Sequence, residues 1–394
     1  MAKRIGDARW IGLILISACI AALLLVVLMK RSEQREQAVR PAPETVERYA
    51  DINKIDVHVH VPPERYGEAA RVFQQHGVVL ALNASGGHPG RGLEETVEAG
   101  LRLNGAIRSY CNLSFGGVEN AAFHDYAIRT LNQCKEQGGV GLKIFKSLGL
   151  GAELSDGSLL RVDDPRLDVV FETAGELELP VLIHAGDPQA FFRPPTRDNE
   201  RYEELRAHPG WSFHGDEWPS WEEVFAQYEA RVARHPNTTF LGAHFGNAPE
   251  EPQRVARMLE RYPNLYIETG ARIPEIGRHD PGPMREMFIR FRERILFGTD
   301  IQMGSESWIL GSAGAQPDPP SRVPFFYASH WRYFETAERR FEHPTPIQGE
   351  WTIDGIDLPH EVLEDLYHRN AERIFGFTRR ADAEPDAGGP PSER

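Results

Sequence analysis

One alternation constrains this chain more than any other feature. Eight short apolar runs recur between Lys54 and Asp300, and segments of helical periodicity separate them. The runs are KIDVHVH (54–60), VVLALN (78–83), AIRSYCNL (106–113), VGLKIFK (140–146), PVLIHAG (180–186), TTFLGAH (238–244), NLYIETG (264–270) and RILFGTD (294–300). Between them lie amphipathic stretches such as PERYGEAARVFQQHG, HDYAIRTLNQCKEQ and EPQRVARMLERYP. Short apolar runs suit strands, and the longer amphipathic stretches suit helices. Strands that alternate with helices build a parallel sheet. Eight such units predict an α/β protein of the (β/α)8 TIM-barrel type. The competitor is a doubly wound sheet. That fold carries a glycine-rich phosphate turn after its first strand, and none follows His60.

Polar residues close several of these runs. Side chains alternate faces along a strand, so His58 and His60 point the same way. On that pattern Asp56 shares their face, while Ile55, Val57 and Val59 take the other. Two imidazoles on one face suit a metal ion, though a solvated strand end would look the same. His184, His244 and Asp300 close the fifth, sixth and eighth runs. In a barrel all five residues reach the C-terminal mouth, where active sites lie. One such residue is usually a satisfied strand end; five together describe a site.

Two connections exceed ordinary length, after strands 5 (186–237) and 8 (301–349). Both start at the same mouth and hold Trp and Phe, so they read as substrate walls or lids. A structural flap, or a contact in a homo-oligomer, would use the same aromatics.

The ends of the chain have a different composition. Residues 11–29, IGLILISACIAALLLVVLM, carry no charge and are long enough to cross a bilayer as a helix. ISAC resembles a lipoprotein cleavage box, but the apolar run continues past it. The expected organisation is a transmembrane anchor (1–30), a polar linker (31–50), the barrel (51–377) and a disordered tail (378–394). Positive residues flank the span on both sides, so the barrel is placed outside the cytoplasm only on the habit of signal anchors. The formal net charge of −14 argues against a nucleic-acid partner. The three cysteines form no CxxC pair, and with Cys19 in the apolar run they allow one bridge, Cys111 to Cys134.

The order His58-x-His60, His184, His244, Asp300 resembles the amidohydrolase superfamily. The stretches GAHFG (242–246), GTD (298–300) and LYHRNAERIFG (366–376) are similar to its amidohydrolase-related branch, a group of metal-dependent hydrolases and decarboxylases. The resemblance covers residues 51 to 377. It implies that His58, His60, His184 and Asp300 bind a divalent metal, with Zn2+ and a single ion favoured. It makes Asp300 the fourth ligand or a base beside the metal-bound water, a catalytic proton carrier, and it has His244 polarise the substrate or bind a second metal. Three imidazoles and a carboxylate independently suit zinc, which activates water near neutral pH.

Lys143 lies on strand 4, where two-metal members of the superfamily carry a bridging lysine. A buried lysine could instead pair with Asp300 or a substrate carboxylate. Arg193, Arg272 and Lys146 are candidate contacts for an anionic substrate; the plain alternatives are surface salt bridges and a solvated loop lysine. Asp187, Asn83 and Asn112 either support the site or serve turns.

Three functions fit this reading. One is a metal-dependent hydrolase that opens an amide, ester or lactone bond of a small molecule through metal-activated water. Another is a metal-dependent decarboxylase of a small aromatic or unsaturated carboxylic acid. The third is a membrane-tethered binding protein without turnover.

Overall fold

The computed structural model describes residues 48–304 and 307–377. Each expected strand forms. They are β1 (Lys54–His60), β2 (Val78–Asn83), β3 (Ile107–Ser109), β4 (Leu142–Ile144), β5 (Val181–Ile183), β6 (Phe240–Gly242), β7 (Leu265–Glu268) and β8 (Ile295–Leu296). A helix follows each one: α1 (Tyr66–Gln75), α2 (Leu93–Leu101), α3 (Phe123–Glu136), α4 (Asp168–Glu176), α5 (Trp221–Arg234), α6 (Pro252–Arg261), α7 (Pro281–Arg290) and α8 (Val323–Glu335). Shorter helical turns lie within the loops.

β1–β2–β3 and β4 through β8 pair in parallel. The two sheets meet twice. Cys111 N–H donates to Gly141 O at 2.7 Å, and Lys143 N–H donates to Cys111 O at 2.8 Å, joining β3 to β4. Val57 N–H donates to Phe297 O at 3.0 Å, and Asp300 N–H to His58 O at 2.8 Å, joining β8 to β1. The result is TIM-barrel-like. Ile55, Val57, Leu82, Tyr110, Leu182, Leu241 and Leu296 pack together inside it. Cys111 and Cys134 form a disulfide with Cα atoms 5.9 Å apart, tying the end of β3 to α3.

Two of these helices have a side-chain N-cap, Asp280 at α7, which accepts from Gly282 N–H, and Ser220 at α5. Ser220 caps α5 in a capping box, accepting from Glu223 N–H while Glu223 accepts from Ser220 N–H at 2.8 Å. The C-terminal stretch closes the barrel base. Asn370 Nδ2 donates to the carbonyls of Arg292 and Ile295, each at 2.7 Å, and Leu366 O accepts from Phe297 N–H. Four further short strands were not foreseen, two of which, Phe341–Glu342 and Thr352–Ile353, form a separate antiparallel pair. β9 (Ile301–Met303) pairs with β1, and β10 (Trp308–Leu310) pairs with β9, so the loop after β8 begins as sheet.

His330 of α8 provides a stability probe remote from the barrel mouth. It is buried, its ring packs on Phe297 and Phe326, and Nδ1–H donates to Phe326 O at 2.8 Å. Burial pushes its pKa down to about 4. The unfolded chain therefore binds a proton between about pH 6.5 and 4 that the folded chain excludes, and stability falls as pH drops through that window. Between pH 7 and 5 this group alone accounts for about 2 kcal/mol. Comparing denaturation midpoints of wild type and His330→Leu across that range should give a shallower acid slope in the variant. Equal slopes would refute it.

One expectation is corrected. No helix among the described residues is long and apolar enough to cross a membrane. The single-pass anchor, and the membrane placement drawn from it, is not supported. Residues 11–29, the linker up to residue 47 and the tail from 378 lie outside the described residues.

Candidate functional site

β1 carries the first surprise. Its pairing with β2 shifts register between Asp56 and Val59, as a bulge does. Ile55 and Val57 pack in the barrel interior, while Val59 and Val61 join the layer under the helices. The bulge turns His58 and His60 inward and leaves Asp56 behind. Asp56 instead accepts from Thr299 N–H at 3.1 Å and from Thr299 Oγ1–H at 2.5 Å. The expected shared face of Asp56, His58 and His60 is therefore wrong for Asp56, because a bulge breaks the period of two.

The two histidines meet Asp300. His58 Nε2 and His60 Nε2 are 3.3 Å apart, and Asp300 Oδ1 lies 3.6 and 3.3 Å from them. Lys143 Nζ lies 3.1 Å from His58 Nε2, so Lys143 points into the barrel. Burial holds the His58 imidazole well below its ordinary pKa, and Lys143 adds to the effect. Burial pushes Lys143 down to about 8 against the pull of Asp300 and Glu268. Burial alone would raise the Asp300 carboxyl, but His58, His60 and Lys143 together hold it below the usual range.

His184 and His244 form a second pair beside the first. Gly270 O accepts from His244 Nδ1–H at 2.9 Å, which leaves His244 Nε2 to accept from His184 Nδ1–H at 3.2 Å. His184 Nε2 is buried and lies 3.4 Å from Asp187 Oδ1. Burial brings His184 to about 4 and His244 well below the usual imidazole range. His184 stays outside the set formed by His58, His60 and Asp300, whose donor atoms lie within 4.8 Å of one another.

The backbone here is unusual. His244, Phe245, Gly246 and Asn247 all have positive φ, from 56° to 68°, a left-handed turn straight after β6. Ala271 and Asp300, after β7 and β8, also have positive φ. Residues other than Gly bear this only where surrounding contacts enforce it. Asn247 supplies some of that enforcement. Its Oδ1 accepts from Ala185 N–H at 2.9 Å, and its Nδ2 donates to Ile183 O at 3.3 Å, so the turn is stitched to the end of β5.

These groups line a cavity of about 420 Å3. The loop after β5 contributes Phe191 and Trp211; the loop after β8 contributes Ile309, Ser312 and Ala313. The two loops touch. His208 Nε2–H donates to Ala313 O at 2.8 Å, and Ser312 Oγ–H donates to Glu204. Lys146 and Arg272 line the same cavity. β4 ends at Ile144, which frees Lys146 to turn inward and pair with Asp187 at 2.5 Å. Burial would raise Asp187, but Lys146 and His184 reverse that and hold it below the carboxylate range. Arg272 is buried, and its Nε has no hydrogen-bond partner.

Arg193 is elsewhere. It is exposed and donates to Gln189, outside the cavity lining. Asn83 and Asn112 serve turns, accepting from Val61 and Gly87 N–H at 3.0 and 2.9 Å. Glu268, at the end of β7, was missed in the sequence. It is fully buried, with Oε1 2.7 Å from His244 N and 3.0 Å from His58 Nδ1. The strand-end reasoning that found Asp300 applies to YIETG equally well.

The donor chemistry fits a divalent metal. Three donors converge, His58 and Asp300 buried and His60 half-buried, burial favours the neutral His58 imidazole, and His184 lines the same cavity.

Solved structures give weak likenesses. An uncharacterised TIM-barrel protein from Bordetella bronchiseptica is 13% identical, covering 82% of this chain and 98% of its own, at a TM-score of 0.48. A 2,6-dihydroxybenzoate decarboxylase from Rhizobium is 16% identical, covering 82% and 98%, at 0.44. A dihydroorotase from Campylobacter jejuni is 14% identical, covering 83% and 84%, at 0.46. The fold rests on the strand pairing, not on these scores. No curated protein matches the chain. The family model for amidohydrolases, in contrast, matches residues 113–377. That stretch is well over half of the sequence and holds Lys143, His184, His244, Glu268 and Asp300; the chain belongs to the amidohydrolase family.

Proposed function

We propose that this chain is a metal-dependent hydrolase that opens an amide, ester or lactone bond in a small molecule bearing a carboxylate. The observation that carries it is the convergence of His58 Nε2, His60 Nε2 and Asp300 Oδ1 in the lining of a cavity walled by both long loops. His58, His60 and Asp300 would hold the ion, with His184 as a further ligand and zinc as the favoured metal. Bound there, a divalent ion supplies Lewis acidity and lowers the pKa of water. Asp300 takes a proton at its carboxylate and returns it to the leaving group. His244 stabilises charge that develops on the attacked oxygen. Arg272 and Lys146 receive the substrate carboxylate, and Phe191 and Trp211 exclude water from it.

The second reading is decarboxylation of a small aromatic or unsaturated acid, with Asp300 delivering its proton to carbon. The aromatic wall beside two cations favours it. A substrate panel on the zinc-loaded full chain separates the two. Hydrolysis of carboxylated esters, amides or lactones is expected, and Arg272→Ala should raise KM by about tenfold or more. Release of CO2 without hydrolysis would select the second reading, and equal turnover of uncharged analogues would remove the carboxylate.

A further inference from the structure

The buried carboxylate at the end of β7 has no role in the chemistry above, yet the fold makes considerable room for it. Glu268 Oε1 accepts from His244 N–H at 2.7 Å, and Oε2 accepts from Gly270 N–H. A Cβ at Gly270 would stand 2.7 Å from Oε2, and one at Gly298 would collide with the same atom. Two glycines, one after β7 and one after β8, therefore clear the space that the carboxylate occupies. With both oxygens anchored, Oε1 faces His58 Nδ1 at 3.0 Å. Both oxygens accept from backbone N–H groups, an arrangement that suits the carboxylate, and a carboxylate takes the ring proton of Nδ1 as its third donor. His58 Nε2 is then left with a lone pair, and that is the nitrogen facing His60 and Asp300.

We propose that Glu268 is a positioning residue that fixes His58 as its Nδ1–H tautomer and so presents Nε2 as a ready metal donor. The inference rests on the metal reading of His58, His60 and Asp300, and extends it to a group outside that set. Glu268 also holds the His244 backbone, so one carboxylate sets the orientation of residues from β1 and β6. A carboxylate behind a ligating imidazole raises its basicity as well as fixing its rotation.

Glutamine has the right size but the wrong donors. With its oxygen on His58 and His244, Gly270 N–H and both amide hydrogens lose their partners. With its oxygen on Gly270, one amide hydrogen finds His58 Nδ1, and only His244 N–H and the other amide hydrogen go unpaired. The second arrangement is better satisfied, and it forces the His58 proton onto Nε2.

The test reads the tautomer directly in the metal-free full chain, by nitrogen NMR with 15N-labelled histidine. The His58 signals are assigned by their loss in His58→Asn. Wild type should show Nδ1 protonated and Nε2 bare. Glu268→Gln should show the reverse, and its Zn2+ affinity, by calorimetric titration, should fall ten- to a hundredfold with unchanged stoichiometry. A wild-type His58 protonated at Nε2 overturns the proposal, and this arm needs no variant to fold. A Gln variant that keeps both tautomer and affinity overturns it too. So does one that loses a whole equivalent of metal while His58 keeps its tautomer, because Glu268 would then be a ligand itself. Failure of wild type to bind any divalent ion would instead sink the metal reading, a result the tautomer measurement does not depend on.

Discussion

Replacing His58 and His60 together by alanine is expected to weaken zinc binding by the full chain about a hundredfold or more, since two of three converging donors disappear. Elemental analysis after dialysis measures this directly and needs no substrate. Wild type should hold one ion per chain. Lys143→Ala should hold one as well: Lys143 Nζ sits 3.1 Å from His58 Nε2, where an uncarboxylated lysine tunes the imidazole electrostatically. Two ions in wild type, falling to one or none in Lys143→Ala, would require a lysine-bridged pair and would strengthen hydrolysis over decarboxylation. Wild type without metal, even after added zinc or manganese, would remove the basis of the proposed chemistry.

The second large effect is expected at Asp300. Asp300→Asn should cut turnover by about a thousandfold, the scale of a lost proton-transfer group, and weaken metal binding less than the double histidine replacement does, because Asn keeps an oxygen donor. Asparagine is the informative choice because Asp300 has φ of 55°. Asn tolerates that left-handed conformation better than almost any residue but Gly, so the backbone behind the site should hold. Alanine would mix strain with lost chemistry. Activity on any substrate found by the panel, measured beside metal content, separates the two roles assigned to this carboxylate. Loss of metal in step with activity would make Asp300 chiefly a ligand. Unchanged turnover would exclude it from the reaction.

The barrel was legible because its strands are apolar, short and regularly interrupted. Burial on both faces writes such runs into sequence whatever the loops do. His58, His60, Lys143 and Asp300 were legible because the strand end, rather than the loop, places them. Asp56 was misjudged because a bulge slides the alternation by one residue, and nothing in KIDVHVH marks where the extra residue falls. Arg193 and Arg272 show the limit beyond the strands. Both follow a strand end, yet one is exposed and the other is buried in the cavity lining. Glu268 closes its strand as Asp300 does and could have been picked out on that ground. Its partners could not, since a histidine on β1 and a backbone N–H after β6 are brought together only by the folded chain.

The contact between the two long loops has a consequence for how such a chain can diversify. His208 meets Ala313, and Ser312 meets Glu204, so neither wall of the cavity stands by itself. The stitch at Asn247 ties the end of β5 to the β6 turn and lies apart from the contact between the two loops. Grafting a relative's loop onto this scaffold should therefore succeed only when both loops travel as one cassette. A single exchange would leave the buried Glu204 facing a stranger. Specificity in this protein is a two-part inheritance, carried by segments that lie more than a hundred residues apart in the chain.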